Sequence, residues 1–219
     1  RPTMRTTLVF LLAVLCTFST LADIVSVVES GLGGDAAAII ENAAFAEDAL
    51  TFSDRTHQHN GAAYNSADGL LSTSGDTVVP LPSYLVGGDY VRFANNARDN
   101  AGYSAVVTAT ADMPYDWYVL IDNRVDGVAG STSSSQQTDP VIGGSLQWVI
   151  DNGFTRVNTG IMPDGQADYS AIDEGGDGVG PGVGLNQFFA IYKLENRVSV
   201  TVGNNGFGGN NMIALVGCV

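Results

Sequence analysis

The sequence has few basic side chains. Nine lysine and arginine residues, of which Lys193 is the single lysine, face 23 aspartate and glutamate residues, so the formal net charge is −14. An acidic surface of this kind repels the phosphate backbone of nucleic acids and anionic lipid head groups. We therefore expect no nucleic-acid partner and, after export, no membrane partner. The same acidity keeps an exported protein soluble and attracts cations such as Ca²⁺.

Long hydrophobic runs are also missing. The apolar run of residues 8–15 is too short to span a bilayer, which takes about 20 residues. Met4 and Arg5 precede this run, and Thr20-Leu21-Ala22 after it resembles a cleavage site. A charged start, a short apolar core and small residues together predict a signal peptide over residues 1–22. We therefore expect a secreted protein of the cell surface or extracellular space.

Cysteine is scarce, with Cys16 and Cys218 the two in the chain. Cleavage after Ala22 would remove the first and leave the second alone. A single cysteine in an exported protein is a free thiol or an intermolecular link, and retention of residue 16 would allow a Cys16–Cys218 bridge between subunits. The other interpretation is a small buried side chain in the last strand.

The composition instead favours strands and turns. Glycine is abundant at 27 residues, and only 15% of residues are charged. We count roughly nine or ten β-branched or alternating segments, at the spacing of a sandwich or jelly roll. The expected fold is all-β, an antiparallel β-sandwich or jelly roll with an extended N-terminal segment. The predicted organisation is a signal segment (1–22), an N-terminal segment (23–47) and a β-sandwich domain (48–219).

Three local pairings are expected among these segments. Residues 104–110 and 116–122 are separated by Met113-Pro114 and are predicted to pair as neighbours. Asn152-Gly153 predicts a hairpin between residues 146–150 and 154–158. Glu195-Asn196 is expected to form the turn between the two clearest strands, residues 187–193 and 197–202.

The stretch before residue 57 gives mixed signals. Asp35 is suited to cap a helix over residues 36–50, in which alanine is frequent. Residues 37–41 and 49–52 also have strand-like sequences, and Leu50 and Phe52 alternate with Thr51 and Ser53. We favour the strand for residues 49–56 and leave both structures open for the stretch before it.

Catalytic motifs are absent from the sequence. No Gly-x-Ser-x-Gly elbow occurs, and no glycine run is followed by the Lys and Ser/Thr of a phosphate-binding loop. We therefore expect a protein that is not an enzyme. A glycosidase remains an alternative, because two carboxylates facing a cleft leave no characteristic spacing.

One acidic loop is the best candidate for a metal site. Asp173, Glu174 and Asp177 lie among glycines, and oxygen ligands on a flexible loop suit Ca²⁺. A solvated acidic turn is the competing interpretation. No cofactor is required by any motif, so Ca²⁺ is the single candidate.

Two other groups of residues are weaker candidates for a cation site. His57-x-His59, with Asp54 nearby, has the spacing of two ligands on one strand face but lacks the glutamate of cupin-type sites. The segment from Asp122 to Asp126 carries Arg124 as an internal counter-charge, which favours a structural ion pair there.

Aromatic residues are candidates for binding glycans. Trp117, Tyr118 and Trp148 could stack on sugars, although aromatic residues in a sandwich are more often core. The first two are neighbours in one strand and must point to opposite faces. The serine- and threonine-rich residues 131–135 are a compositional candidate for O-linked sugar, which would make this a glycoprotein.

Five segments carry a resemblance to a known group. They are residues 52–57, 85–91, 94–100, 118–124 and 186–192. With them the chain resembles, over about residues 45–217, a domain of secreted proteins from planctomycete-type bacteria. It is also similar to protomers of environmental extracellular fibrils, in which an N-terminal segment of one subunit completes the β-sandwich of the next. The resemblance implies a fold and a location, with no enzymatic activity and no site residue carried over.

These observations predict a secreted, non-enzymatic structural protein. The expected partner is a second copy of the chain, in an open fibre built head to tail, with residues 23–47 as the donor strand. Strand addition satisfies an open sheet edge, and a contact that does not close gives a filament. The alternative is a carbohydrate- or Ca²⁺-dependent extracellular binding module.

Overall fold

The computed structural model describes residues 23–55, 59–61, 63–65, 77–97, 100, 102–111, 113–129, 131–132, 138–162, 165–173, 187–204 and 213–218. The predicted signal segment, with Cys16, lies outside these residues. The strands of the described residues are β1 (Ile24–Ser30), β2 (Ile39–Glu41), β3 (His59–Gly61), β4 (Ala63–Asn65), β5 (Thr77–Val79), β6 (Asp89–Arg92), β7 (Ser104–Ala109), β8 (Tyr115–Asp122), β9 (Val125–Asp126), β10 (Ser131–Thr132), β11 (Thr155–Arg156), β12 (Tyr169–Asp173), β13 (Gln187–Arg197), β14 (Ser199–Gly203) and β15 (Ile213–Cys218).

Two antiparallel sheets form the body of the protein. The small sheet has the order β1-β7-β14, and the large sheet has the order β2-β6-β15-β8-β13-β12-β3, with β11 also paired to β13. Strands β4 and β5, and strands β9 and β10, form two further two-stranded sheets. The small sheet packs on one face of the large sheet. The expected all-β antiparallel sandwich is thereby confirmed.

The main core lies between the two sheets. Along β7 the small sheet buries Ala105, Val107 and Ala109, while Val106 between them is 40% exposed. Trp117 of the large sheet belongs to the same core and is fully buried. This alternation follows from the two-residue period of a strand, which sends successive side chains to opposite faces.

A second core covers the other face of the large sheet. Tyr118 and Leu120 of β8 enter it, and the loops before β6 cover them with Phe45, Phe52 and Leu85. Strand β8 is therefore buried on both faces, as its almost unbroken apolar sequence suggests. These loops take the place of a third layer.

The predicted pairing between β7 and β8 is wrong. Strand β7 pairs with β1 and β14 in the small sheet, whereas β8 pairs with β13 and β15 in the large one. The chain crosses between the layers around Pro114, which has no N–H to donate to a ladder. Both strands bury apolar side chains in the space between the sheets, so they face each other instead of pairing edge to edge.

The predicted hairpin around Asn152-Gly153 is also wrong. Helix α1 (Gln147–Asn152) follows a 3-10 turn at Gly144–Leu146 and ends at Gly153, whose φ of 85° is the left-handed cap conformation. Leu146 and Val149 are buried, at the three-residue spacing of a helix face. Among the described residues no helix is long and apolar enough to cross a bilayer.

Glu195-Asn196 does not form a turn between paired strands. Strand β13 continues to Arg197, with a register shift after Leu194 and a φ of 55° at Asn196. The irregularity redirects the chain, and β14 then joins the small sheet beside β7.

No helix forms over residues 36–50, and the strand alternative at residues 37–41 is confirmed by β2. The strand favoured over residues 49–56 does not form within the described residues 49–55. Tertiary contacts replace ladder bonds for this backbone: Arg92 donates to the carbonyl oxygen of Phe52 from Nε at 3.1 Å and from Nη2 at 2.7 Å. The Ser53 N–H donates to the carbonyl oxygen of Phe93 at 3.0 Å. The stretch stays irregular because Phe45 and Phe52 both have to reach the second core.

Candidate functional site

The N-terminal segment provides an edge strand of the small sheet. Strand β1 pairs with β7 of its own chain from Ile24, opposite Ala109, to Ser30, opposite Ser104. In the described part of the chain β7 is the single strand that pairs with β1. Among the described strands, β1 is therefore held by one ladder.

Asp89 holds the start of this segment. Its Oδ2 accepts the N–H of Ile24 at 2.9 Å, and its Oδ1 accepts the N–H of Ala43 at 2.6 Å. The hydroxyl of Tyr115 donates to the same Oδ2 at 2.5 Å. Burial, and secondarily the bond to Asp89, raises the pKa of Tyr115 and keeps it a neutral donor. One buried carboxylate thus ties β1, the loop after β2 and β8 together.

A cleft of about 390 Å³ opens beside this carboxylate. Asp23, Tyr84 and Cys218 line it together with Asp89 and Tyr115. The thiol of Cys218 donates to the carbonyl oxygen of Tyr84 at 3.0 Å, and burial raises the pKa of this thiol to about 12. Since both the thiol and the Tyr115 phenol stay protonated at neutral pH, neither supplies an activated nucleophile to the cleft.

A glycine-rich linker, residues 31–38, joins β1 to β2. Gly31, Gly33 and Gly34 have φ angles of 71°, 64° and 101°, conformations that other residues rarely adopt. The Nδ2 of Asn100 donates to the carbonyl oxygen of Leu32 at 2.7 Å. The linker is thus a glycine-dependent bend, fixed to the body of the protein by a side chain rather than by a ladder.

Sequence reasoning missed Asp89 as an anchor. Its partners lie 65, 46 and 26 positions away along the chain, so no local motif could reveal them. The one available signal is an acidic residue at the start of an apolar strand, which is unusual at a buried position.

The predicted ion pair between Asp122 and Arg124 is confirmed. The Nη2 of Arg124 lies 2.5 Å from Oδ2 of Asp122, and its Nε and backbone N–H donate to Oδ1 at 2.9 and 2.8 Å. Both side chains are buried. The pair fixes the tight turn between β8 and β9, which is a structural role.

A second charged cluster surrounds Arg156 on β11. Its Nε and Nη2 lie 2.8 and 3.1 Å from the two carboxylate oxygens of Asp139. Its Nη1 donates to three carbonyl oxygens, and its guanidinium lies 4.4 Å from the ring centroid of Tyr169. Each of the three guanidinium nitrogens has at least one partner in the protein. The cluster fastens β11 to β12 and β13.

The proposed calcium ligands fall mostly outside the described residues. Asp173 ends β12, where only its backbone is described, and Glu174 and Asp177 lie beyond it. Likewise His59 begins β3 with an undescribed side chain, and His57 lies outside. The part of the chain that the structure describes contains no group of three or more His, Cys, Asp or Glu residues able to hold a metal ion.

The three candidate aromatic residues do not form an exposed platform. Trp117 and Tyr118 are buried in the two different cores of the large sheet. Trp148 on α1 packs over Gly203, and its Nε1 donates to the carbonyl oxygen of Asn204 at 3.1 Å. In the serine-rich run, the first two residues form β10 and the other three lie outside the described residues.

Comparisons with known proteins give little for this chain. No family model and no curated protein matches the sequence. Among solved structures, the chain is similar to a β-glucuronidase from glycoside hydrolase family 2, with a TM-score of 0.45 and 17% sequence identity. The match covers 87% of this chain and 14% of that chain, so this chain spans a small part of the enzyme's length. A likeness at this level carries no argument about activity.

Proposed function

We propose that this protein is a non-enzymatic structural subunit of an extracellular fibre, in which β1 of one copy completes the small sheet of the next. One observation carries the proposal: β1 is an edge strand with a single described strand partner, and a glycine-rich linker joins it to the rest of the chain. An edge strand that leaves its own sheet and enters an identical one regains its ladder with β7 and its place against the core.

The contacts of β1 suit such an exchange. Its pairing with β7 is main-chain hydrogen bonding, which any copy of β7 can reproduce. Ile24 and Val27 pack against the core between the sheets, so the incoming strand also brings the apolar side chains that this core needs. The N–H of Ile24 would find Asp89 of the neighbouring copy in the same place.

The linker between β1 and β2 sets how far β1 can move away from its own subunit. Residues 31–38 span up to about 26 Å when fully extended, enough to carry β1 out of its own subunit. If each subunit gives its strand to one neighbour and receives a strand from another, the contact is head to tail, and it extends into an open fibre when the rotation between subunits does not close. Export and the cell exterior as its location are the expectations of the signal-like segment over residues 1–22, and they form part of the proposal.

A disulfide pair tests the exchange. Val28 and Val106 face each other across β1 and β7 and are both exposed, so replacing both with cysteine leaves the core unchanged. In a background with Cys16→Ser and Cys218→Ser, oxidised samples are run on a denaturing gel without reductant. Exchange predicts a ladder of covalent multimers, because residue 28 then bonds to residue 106 of another copy.

The matched control is Val106→Cys with Thr201→Cys, which joins β7 to β14 within the small sheet. This pair should give a monomer band in every sample, since neither strand is exchanged. Electron microscopy of the same samples shows whether fibres are present. A monomer band from the first pair in assembled material, or the absence of fibres, would contradict the proposal.

A further inference from the structure

The outward face of the small sheet carries no charge. Its side chains form three rows across β1, β7 and β14, in the order in which the strands pair. The rows are Ser26-Thr108-Ser199, Val28-Val106-Thr201 and Ser30-Ser104-Gly203. Trp148 of α1 covers Gly203 at one corner of these rows. We call the other eight residues the uncharged face. Val28 and Val106 at its centre are 66% and 40% exposed, and Val25 beside it is 57% exposed.

The one charged residue in these three strands points away from the face. Glu29 lies on the opposite side, where its Oε1 accepts the hydroxyl of Tyr103 and its Oε2 accepts the N–H of Ala38, both at 2.7 Å. The strands thus combine exposed valines with a complete lack of outward charge in a chain of net charge −14.

We propose that the uncharged face binds the same face of a second copy, and that this contact joins assembled fibres side by side. Two copies of net charge −14 repel each other over most of their surfaces. On this face they meet without desolvating a carboxylate, and the apolar surface of Val28 and Val106 is removed from water. The face has no group that would select a basic or acidic partner, so another copy of the same face fits it best.

The face is small, so fibres have to form before they can bind side by side. Three strands of about five residues cover roughly 250 Å², well below the ~800 Å² per partner of a stable protein interface. A single pair of subunits therefore stays dissociated. A fibre repeats the face once per subunit, and contacts that are weak alone add up along two aligned fibres. The inference rests on the proposed function, because the repeat exists only in the fibre.

Strand exchange does not alter the face. Whether β1 comes from the same chain or from a neighbour, residues of β1 lie beside the same residues of β7 and β14. Fibre formation and lateral contact therefore use different parts of β1, its edge and its outward side chains. The two contacts can be disrupted separately.

The test is negative-stain electron microscopy of wild-type protein, Val106→Glu, Thr201→Glu and the control Ile150→Glu. Ile150 is 53% exposed on α1, outside the uncharged face, and so matches Val106 in character. Samples are prepared at about 10 mM NaCl, where the acidic fibres repel each other strongly, and at about 150 mM NaCl, where they repel each other weakly. The screening length falls from roughly 30 Å to 8 Å between the two concentrations. Thermal unfolding verifies that each variant is folded.

We expect bundles of wild-type fibres that thicken at the higher salt concentration, and equal bundles of Ile150→Glu. Val106→Glu and Thr201→Glu should form fibres of unchanged width that stay single at both salt concentrations. Either variant bundling like the wild type overturns the inference, as do single wild-type fibres at both salt concentrations. Absence of wild-type fibres overturns the proposed function and this inference together, so the two failures are distinguishable.

Discussion

The carboxylate of Asp89 on β6 accepts the backbone N–H of Ile24, the first residue of β1, at 2.9 Å. This bond crosses from the large sheet to the small one and is buried. It places the start of β1 beside β8, where Tyr115 donates to the same oxygen. The position of the N-terminal strand is thus set by one acidic side chain in addition to its ladder with β7.

Replacing Asp89 should loosen this strand. In Asp89→Asn the amide group can accept at only one of its two positions, so at least one buried donor loses its partner. We expect the free energy of unfolding to fall by about 2 kcal/mol in urea titrations. Hydrogen exchange at the Ile24 amide should become faster in Asp89→Asn than in the wild type. Amides in the middle of β8 serve as the reference within the same protein.

Asp151→Asn is the matched control, because Asp151 is exposed on α1 and accepts a hydrogen bond from the side chain of Gln147 at the surface. Its effect should stay within about 0.5 kcal/mol. Equal stability of Asp89→Asn and the control would contradict an anchoring role.

Gly31→Ala should destabilise the linker through both backbone strain and a clash. The φ of Gly31 is 71°, and a Cβ there would lie 2.7 Å from the carbonyl oxygen of Gly102. Gly160→Ala separates the two effects, since Gly160 has a φ of 79° but no atom within 4 Å of an added Cβ. We expect about 1 kcal/mol of destabilisation for Gly160→Ala and at least about 1 kcal/mol more for Gly31→Ala. Equal losses in thermal or urea unfolding would exclude the clash.

Arg156→Lys should cost stability although the charge is kept. A lysine cannot make the two parallel bonds to Asp139, nor lie flat against the ring of Tyr169. We expect a loss of about 2 kcal/mol in urea unfolding. Arg197→Lys serves as the control, because Arg197 is exposed and makes only long bonds of 3.3–3.4 Å to carbonyl oxygens. If Arg197→Lys lowers the free energy of unfolding as much as Arg156→Lys, the two parallel bonds of the Arg156 guanidinium are not what stabilises the protein.

Cys218 should make stability depend on alkaline pH. Burial, with smaller effects of Asp116 and Asp89, raises the pKa of the thiol from 9.0 to about 12. Because the folded protein holds the proton more tightly than the unfolded chain, this contribution is complete below pH 9 and is lost as the pH rises toward 12. The difference in unfolding free energy between wild type and Cys218→Ser should shrink by up to about 1.4 kcal/mol per pH unit in that range. A difference that does not change with pH would show that the thiol is not held protonated.

The strands were more predictable than their partners. The β-branched residues of 104–110 and the dense apolar and aromatic run of 116–122 identify β7 and β8, because strand propensity depends on the residues of the segment itself. They do not reveal that the two strands face each other across the core, since any two strands can share the same main-chain ladder. The pairing was decided by which arrangement buries both apolar faces.

Some local sequence patterns fit two different structures, and core packing decided between them. A glycine with positive φ fits both a hairpin turn and the end of a helix, so Asn152-Gly153 could not distinguish them. Leu146 and Val149 settled the choice, because a helix brings both into the core. Similarly, Phe45 and Phe52 hold their stretch irregular against its strand-like sequence.

By itself, the sequence determined features that depend on near neighbours: an all-β chain and the ion pair of Asp122 with Arg124, two positions apart. Only the tertiary structure decided features that join distant residues. Asp89 became an anchor because folding brings Ile24, Ala43 and Tyr115 to one carboxylate. The uncharged face likewise exists only where β1, β7 and β14 lie side by side, because a single strand shows merely alternating small side chains.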